Sequence, residues 1–234
     1  MSANRSKTRD PKRPAKAVTA ARRSTTPRGR IWLWVAVAAV ALLGLFVIYT
    51  TTSSTSHSGA APAERYQVGS PGIGAQAPDF TLPNATAPPG GPAAVTLSGL
   101  RGKTTLLYFH EGLGCQPCWN QIRDLQADRA KLTAAGVDQL LTVTSGPGDL
   151  IAQKMRDDGL SAPALVDTDL GVSARYQANQ YGMMGTSTDG HSFVLVGPDG
   201  RIQWRADYGG APNYTMYVGV DRLLADLTAG RRTS

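Results

Sequence analysis

The pattern of hydrophobic and polar positions after residue 103 alternates between two kinds of segment. Continuous apolar runs of strand length alternate with stretches in which apolar residues recur every three or four positions, which predicts strands alternating with helices. The predicted strands are Thr104–His110, Leu140–Thr144, Ala164–Val166, Ser192–Gly197 and Arg201–Ala206, and the predicted helices are Gln116–Ala135, Asp149–Asp158, Leu170–Gln177 and Tyr217–Leu227.

The order of these elements, β-α-β-α-β-α-β-β-α, predicts an α/β domain. Strands joined through crossover helices are expected to run parallel within one sheet. Pro198-Asp199-Gly200 is a strong turn signal between the last two strands, so these two strands are expected to form an antiparallel hairpin. The predicted fold is therefore a mixed central sheet flanked by helices.

An earlier stretch has the pattern of a membrane span. Residues 31–49 contain no charged side chain. A helix of this length reaches about 28 Å, close to the thickness of the hydrocarbon core of a bilayer. Trp32 and Trp34 near one end and Tyr49 at the other suit the two membrane interfaces. The pattern predicts one N-terminal transmembrane helix before the α/β domain.

The distribution of charge predicts the orientation of that helix. The chain has 24 Lys and Arg against 17 Asp and Glu. Residues 1–30 hold ten of the basic residues and one of the acidic ones, so the rest of the chain holds 14 and 16 and carries a net charge of −2. The basic tail is expected to stay in the cytoplasm and the domain to lie outside it. Basicity confined to a tail gives no reason to expect nucleic acid as a partner.

The chain is therefore expected to have five parts. They are a basic cytoplasmic tail at 1–30, a transmembrane helix at 31–49, a flexible tether rich in Ser, Thr, Pro, Gly and Ala at 50–72, the α/β domain at 73–229 and a C-terminal tail at 230–234. The tether's composition cannot bury enough apolar surface to fold. A cleaved signal peptide ending at Ala61-Pro62-Ala63 is the alternative to a retained anchor. The predicted location is the cell membrane, with a single span.

Cys115 and Cys118 are the only cysteines, and they form a Cys-Gln-Pro-Cys motif at the predicted start of a helix. Unpaired N–H groups and the helix dipole stabilise a thiolate at a helix N-terminus, which lowers the thiol pKa from about 8.5 towards 3.5–7.5. Pro117 suits the first helical turn, and Gly114 belongs to the short loop before the motif. We expect Cys115 to attack and Cys118, three residues later, to resolve.

Three other uses of the cysteine pair are a structural disulfide, inert buried thiols and half of a metal site. A bridge across so short a loop removes little entropy from the unfolded chain. A second cysteine pair, which a four-thiolate zinc site would need, is not in the sequence. A C-x-x-C motif that opens a helix in an exported chain therefore favours redox function.

Three further stretches accompany the C-x-x-C motif. They are Gly74-Ala-Gln-Ala-Pro-Asp-Phe-Thr-Leu82, Val95-Thr-Leu-Ser-Gly-Leu-Arg-Gly-Lys103 and Phe193-Val-Leu-Val-Gly-Pro-Asp-Gly-Arg-Ile202. Together they resemble the AhpC/TSA (peroxiredoxin) and TlpA/ResA branch of the thioredoxin superfamily. This resemblance implies a thioredoxin-like fold and thiol–disulfide chemistry at a redox-active disulfide without another cofactor.

The chain departs from both members of that branch. Counted from Phe109, Cys118 falls at the peroxidatic position and Cys115 replaces the family's Thr or Ser. Counted back from Phe193, Gly190 stands where the family's active-site Arg is expected. Without that cation and hydroxyl to polarise a peroxide, thiol peroxidase activity is the least favoured function. TlpA-type proteins have a cis-proline that faces the cysteines, and His191 stands at that position here.

His191 has three interpretations. It fills the cis-proline position, it acts as an acid or base or in substrate docking beside Cys115, or it binds copper together with Cys115 and Cys118. The third interpretation resembles the Sco copper proteins, although those have a C-x-x-x-C motif. Two thiolates and an imidazole suit copper, and Met183-Met184 would add thioether sulfur. A copper-delivery module is therefore the alternative function.

His110 and Glu111 lie shortly before the motif and are candidates to tune the Cys115 thiolate or to relay a proton. The alternative is that both are plain solvent-facing polar groups. Four aromatic residues are explained either by core packing or by a contact patch, namely Trp204, Tyr208, Tyr214 and Tyr217.

The sequence as a whole predicts a membrane-tethered thiol–disulfide oxidoreductase that works outside the cytoplasm. The expected partners are exported proteins with thiols or disulfides and a membrane protein that donates electrons. The direction of transfer depends on the midpoint potential of the cysteine pair, and potentials of such pairs range from about −270 to −120 mV.

Overall fold

The computed structural model describes residues 35–44 and 65–232 of the chain. The chain divides into two compact units, Met1–Ser58 and Gly59–Ser234. In the first unit, residues 35–44 are helical. Among the described residues, no helix is both long and apolar enough to cross a bilayer. The predicted basic tail, both ends of the predicted span at 31–49 and the first part of the predicted tether lie outside the described residues.

The second unit is an α/β fold. Its strands are β1 (Thr81–Pro83), β2 (Ala94–Thr96), β3 (Thr105–Phe109), β4 (Gln139–Thr144), β5 (Ala164–Val166), β6 (Ser192–Val196) and β7 (Ile202–Asp207). Its α-helices are α1 (Gln116–Ala127), α2 (Arg129–Ala134), α3 (Gly148–Asp157), α4 (Gly171–Arg175) and α5 (Val220–Arg232).

Five of these strands form one mixed sheet in the order β5-β4-β3-β6-β7. β3, β4 and β5 are parallel, whereas β6 runs antiparallel to β3 and to β7. The predicted mixed sheet and the predicted hairpin of β6 and β7 are thus confirmed. β1 and β2 form a separate antiparallel pair that the apolar pattern did not predict, because each strand has only three residues.

The central strand β3 is buried on both faces, as its continuous apolar pattern predicted. Leu106 and Tyr108 belong to a core that includes side chains of α1, α3 and α5. Leu107 and Phe109 belong to a second core on the opposite face of the sheet, with residues of α4 and of the β1 region. Because side chains alternate along a strand, His110 continues the row of Tyr108 and faces α1.

The helix predicted at Gln116–Ala135 is two helices, which is a correction. α1 ends at Ala127 and α2 begins at Arg129, with Asp128 at φ −93° and ψ 27° between them. Asp is a poor helix former that competes for backbone hydrogen bonds, and its ψ interrupts the helical path. The apolar spacing did not reveal the break because Leu125 and Leu132 both remain buried across it.

Residues 65–72, which the composition placed in the tether, pack against the domain. Tyr66 is buried, with its ring centroid 6.1 Å from that of Trp204 and 5.3 Å from that of Tyr208. Gln67 forms an isolated antiparallel bridge with Asp207 at the end of β7. The buried ring of Tyr66 and the backbone bridge of Gln67 thus fix a segment whose average composition is that of a linker.

Candidate active site

The two cysteines form a disulfide at the start of α1, where the sequence placed them. Their Cα atoms are 5.3 Å apart. Cys115 is the N-cap residue of α1, and its Sγ accepts a hydrogen bond from the backbone N–H of Cys118 at 3.2 Å. Pro117 lies in the first turn, where its missing N–H leaves no hydrogen bond unmade. The sulfur of Cys115 thus lies at the positive end of the helix dipole.

The turn before Cys115 is fixed by Gly112, which the sequence analysis missed. Its N–H donates to Nδ1 of His110 at 3.2 Å, and its carbonyl accepts from Nε1 of Trp119 at 2.9 Å. The same carbonyl accepts from the N–H of Cys115 at 3.1 Å. Gly112 has φ +75°, and a Cβ there would lie 2.7 Å from Oγ1 of Thr144, so glycine is required.

The disulfide is buried, which the sequence analysis did not anticipate for Cys115. The exposed fraction is 4% for Cys115 and 0% for Cys118. The two cysteines and Met216 form an apolar cluster separate from the two large cores. A second methionine lies nearby, because a Cβ at Gly114 would be 3.4 Å from Sδ of Met184. A reactant must therefore displace the Met216 side chain or enter beside it.

Replacing Met216 with alanine is expected to raise the rate at which a small dithiol reduces the disulfide by about tenfold or more. The reason is that burying a methionine side chain contributes about 1.5–3 kcal/mol, and each 1.4 kcal/mol taken from the cost of opening is tenfold in rate. Stopped-flow reduction by dithiothreitol measures this. Met216→Leu, which keeps the apolar cover, is the control. Equal rates for wild type and Met216→Ala would show that Met216 does not limit access.

Glu111 is buried and links the loop before Cys115 to the segment that carries the two exposed methionines. Its Oε1 accepts hydrogen bonds from the backbone N–H groups of Met183 and Met184, the second at 3.0 Å. The carboxylate therefore holds residues 183–184 next to Gly114. It is not a solvent-facing group, and its described hydrogen bonds are to the backbone of this segment.

His110 and His191 are also fully buried, and burial lowers the pKa of each imidazole to about 3. The charge of His110 lowers the pKa of His191 further. Nδ1 of His191 lies 3.3 Å from the hydroxyl of Tyr108, whose pKa burial raises, so the phenol remains protonated. Within the described part of the chain, Nε2 of either ring has no hydrogen-bond partner. Both rings are neutral at physiological pH and supply no positive charge to a thiolate.

The backbone of His191 is fully hydrogen-bonded inside the protein. Its N–H donates to the carbonyl of Tyr181 at 2.7 Å, and its carbonyl accepts from Tyr208 at 2.9 Å and Gly209 at 3.2 Å. A Cβ at Gly190 would lie 2.1 Å from the carbonyl oxygen of Tyr181. Residue 190 therefore has no room for the arginine that a peroxiredoxin would have there.

The proposed copper ligands are not gathered in this disulfide state. Among residues 35–44 and 65–232, no group of three or more His, Cys, Asp or Glu side chains is arranged to hold a metal ion. A site formed by Cys115, Cys118 and His191 stays a prediction from the sequence.

The aromatic set divides into two pairs. Trp204 and Tyr208 are core residues, whereas Tyr214 and Tyr217 are 46% and 41% exposed. The hydroxyl of Tyr217 donates to Oδ2 of Asp124 on α1. Residues before Val220 thus lie against α1, which explains why α5 starts three residues later than the apolar spacing predicted.

The sequence profile of the AhpC/TSA family matches residues 73–205. The chain belongs to this family. With its Cys115–Cys118 disulfide, this AhpC/TSA redoxin is a thiol–disulfide oxidoreductase. No curated protein sequence matches the chain.

Solved structures of the same fold include both peroxiredoxins and a disulfide interchange protein. Peroxidoxin BcpB from Mycobacterium tuberculosis has 18% identity and a TM-score of 0.53 over 67% of this chain and 96% of its own. The reduced 2-Cys peroxiredoxin of Plasmodium vivax has 20% identity and a TM-score of 0.55, covering 68% and 82%. A putative thiol:disulfide interchange protein DsbE from Chlorobium tepidum has 20% identity and a TM-score of 0.50, covering 68% and 97%. The predicted thioredoxin-like fold is confirmed.

Proposed function

We propose that this redoxin is tethered to the cell membrane and exchanges disulfides with exported proteins outside the cytoplasm. The observation that carries the proposal is the position of Cys115 at the N-cap of α1, with its sulfur accepting the N–H of its redox partner Cys118. Backbone N–H groups at a helix N-terminus favour a thiolate over a thiol. Cys115 is therefore the attacking sulfur and Cys118 the resolving one.

The reaction proceeds through a mixed disulfide. In the reduced protein, the Cys115 thiolate attacks one sulfur of a substrate disulfide, the substrate S–S bond breaks, and the leaving thiolate takes a proton from solvent. Cys118, as a thiolate, then attacks Sγ of Cys115 and releases the second substrate sulfur. The substrate gains two electrons, and the protein returns to the Cys115–Cys118 disulfide seen in the structure. The same steps in reverse oxidise a substrate dithiol.

Membrane attachment and the side of the membrane rest on the sequence. The uncharged stretch at 31–49 follows a tail with ten basic residues in its first thirty positions. Positive charge is retained on the cytoplasmic side, which directs the domain outwards. An exported location also fits a redox disulfide, since oxidising compartments allow disulfides to persist. Exported proteins with thiols or disulfides are then the substrates, and a membrane protein that carries electrons is the partner that resets the cysteine pair.

Peroxidase chemistry is not favoured by the geometry. Gly190 occupies the position of the arginine, and its neighbour Tyr181 leaves no space for a side chain there. The imidazole of His191, beside Gly190, and that of His110, before the cysteine motif, are both neutral. None of these three positions therefore supplies a cation to polarise a peroxide O–O bond.

The test is turnover of a protein disulfide by the full-length chain in detergent micelles. Cys115→Ser is expected to abolish turnover, and Cys118→Ser is expected to accumulate a mixed disulfide between Cys115 and the substrate, detectable by mass spectrometry. Ile73→Ser, a substitution at an exposed residue before β1, is the control that should retain full rate. Equal turnover by wild type and Cys115→Ser would contradict the proposal.

A further inference from the structure

Exposed apolar side chains of the domain are concentrated around the disulfide. Among residues 65–232, eight large hydrophobic side chains are exposed, and five of them lie in three segments that meet at the cysteines. We call these segments the collar and define it as residues 112–118, 181–188 and 209–219. The five exposed large hydrophobic side chains of the collar are those of Leu113, Met183, Met184, Tyr214 and Tyr217.

Contacts place each collar segment beside the disulfide. The first segment contains the cysteines. The second is held there by Glu111 and brings the thioether of Met184 against Gly114. The third brings Met216 onto the disulfide and fixes Tyr217 to Asp124 of α1. A molecule that reaches Cys115 must therefore lie on the collar.

The collar carries no charge. None of its residues is Asp, Glu, Lys, Arg or His, although 18% of the chain is charged. The exposed polar side chains of the collar, such as Gln116, Thr186 and Ser187, are uncharged. Exposed apolar side chains grouped around a reactive disulfide point to an interaction site. Methionine side chains are flexible and polarisable and adapt to partners of varied shape. A charged partner would lose hydration here without gaining an opposite charge, so the surface is complementary to an uncharged, apolar segment.

The main chain at residue 191, where TlpA-type proteins have the cis-proline that faces the cysteines, is not available for strand pairing. Both polar backbone groups of His191 are bonded inside the protein, to Tyr181 on one side and to Tyr208 and Gly209 on the other. The carbonyl of Tyr181 approaches this closely because residues 190 and 209 are glycines, where a Cβ would lie 2.1 and 2.0 Å from it. A substrate strand therefore finds no free N–H or carbonyl at residue 191 with which to pair.

We propose that the substrate is an extended segment of an exported polypeptide in which uncharged apolar residues flank the reactive cysteine, and that the collar recognises its side chains and not its main chain. This inference rests on the proposed function, since it names the substrate class of the same disulfide. It assigns recognition to Met184 and its neighbours in the collar, and it separates recognition from the cysteine chemistry.

The experiment uses the reduced full-length Cys118→Ser chain in micelles and peptides that carry one cysteine as a mixed disulfide with thionitrobenzoate. Cys115 attacks the peptide sulfur, the peptide–thionitrobenzoate bond breaks, and the coloured thionitrobenzoate anion leaves. Four peptides differ only in the two residues on each side of the cysteine. These residues are Leu and Met in the first peptide and N-methylated Leu and Met in the second. They are Ser and Gly in the third and Glu and Lys in the fourth.

The Leu/Met peptide is expected to react about tenfold faster than the Ser/Gly and Glu/Lys peptides, a ratio that corresponds to about 1.4 kcal/mol. N-methylation should change its rate less than about twofold, which is under ~0.5 kcal/mol. Met184→Ser in the same background should reduce the preference, whereas Ile73→Ser, which changes an exposed apolar side chain outside the collar, should leave it unchanged.

The outcomes separate the two proposals. Equal rates for all four peptides would overturn the recognition by the collar while leaving thiol–disulfide exchange intact. A large loss on N-methylation alone would show main-chain pairing and would also overturn it. If no peptide reacts faster with the Cys118→Ser chain than with the Cys115→Ser chain, the result would instead contradict the proposed function.

Discussion

Replacing Asp207 with asparagine is expected to lower the free energy of unfolding by about 3–5 kcal/mol. Arg205 and Asp207 form an ion pair whose side chains are both 0% exposed. Nε of Arg205 is 2.8 Å from Oδ2 of Asp207, and Nη2 is 3.0 Å from Oδ1. Asparagine has nearly the same shape, but it leaves the guanidinium charge buried without a counter-charge.

The same pair ties residues 67–71 to the sheet, which increases the expected loss. The N–H of Gly69 donates to Oδ2 of Asp207 at 2.7 Å, and Nη1 of Arg205 donates to the carbonyl of Pro71 at 3.2 Å. Removing the carboxylate charge weakens the hydrogen bond from Gly69. The hydrogen bond to Pro71 is then donated by a guanidinium that has lost its counter-charge. The Asp207→Asn variant is therefore expected to release residues 67–71 from the sheet.

Guanidinium denaturation of the full-length chain measures the effect, with two further variants as controls. Asp221→Asn breaks an exposed pair with Lys131, whose side chains are 83% and 48% exposed, and should cost less than about 1 kcal/mol. The double variant Arg205→Met/Asp207→Leu removes both charges and should recover most of the loss. A loss below about 1 kcal/mol for Asp207→Asn would show that the buried cation is solvated in another way.

The strands and the redox helix could be predicted because local pattern decides them. β3 is continuous apolar sequence buried on both faces, and Cys115 precedes a helix whose first turn accepts proline. The hairpin of β6 and β7 follows from its Pro-Asp-Gly turn. In each case the residues that make the element are adjacent in sequence, so composition and spacing are enough to predict it.

The surroundings of the cysteines could not be predicted because distant segments form them. The sequence indicates His110 and Glu111 as neighbours of the motif but not their burial. Glu111 is buried against the backbone of Met183 and Met184, and His110 packs between Tyr108 and Trp119. Met216 covers the disulfide from a segment about a hundred residues further along the chain. Nothing local distinguishes such a methionine from one in a surface loop. The sequence indicates Gly190 only as a missing arginine, whereas its structural role is to admit the carbonyl of Tyr181.

The free energy of unfolding is expected to be greatest near pH 6.5 and to fall on both sides of it. Two kinds of buried group produce the two limbs. The hydroxyl oxygen of Ser173 lies within hydrogen-bond distance of two carboxyl groups. One is that of Asp189, and the other is that of Asp167, whose Oδ2 is 2.6 Å away. A serine hydroxyl donates one proton, so one of the two carboxyls must itself be protonated. Burial, together with the charge of Asp167, raises the pKa of Asp189 to about 8.

The signs follow from which state binds more protons. Between pH 6.5 and about 8, folded Asp189 holds a proton that the unfolded chain, with an ordinary pKa of 3.8, has lost, so stability falls by about 1.4 kcal/mol per pH unit. Between about pH 4 and 6.5, unfolded His110 and His191 bind two protons that the folded imidazoles, with pKa about 3, do not bind. The proton held by folded Asp189 offsets one of these two protons. The free energy of unfolding therefore falls towards acid by about 1.4 kcal/mol per pH unit.

Denaturation curves of the full-length chain between pH 4.5 and 8.5 test both limbs, and two variants assign them. Asp189→Asn should remove the alkaline limb, because the amide holds the same position without titrating. His191→Asn keeps an acceptor for the Tyr108 hydroxyl and should flatten the acid limb, since the single remaining histidine then balances Asp189. Stability that rises steadily from pH 6.5 to 8 in wild type would mean that the carboxyl pair ionises fully in the folded protein. An alkaline limb that persists in Asp189→Asn would assign the proton to another group.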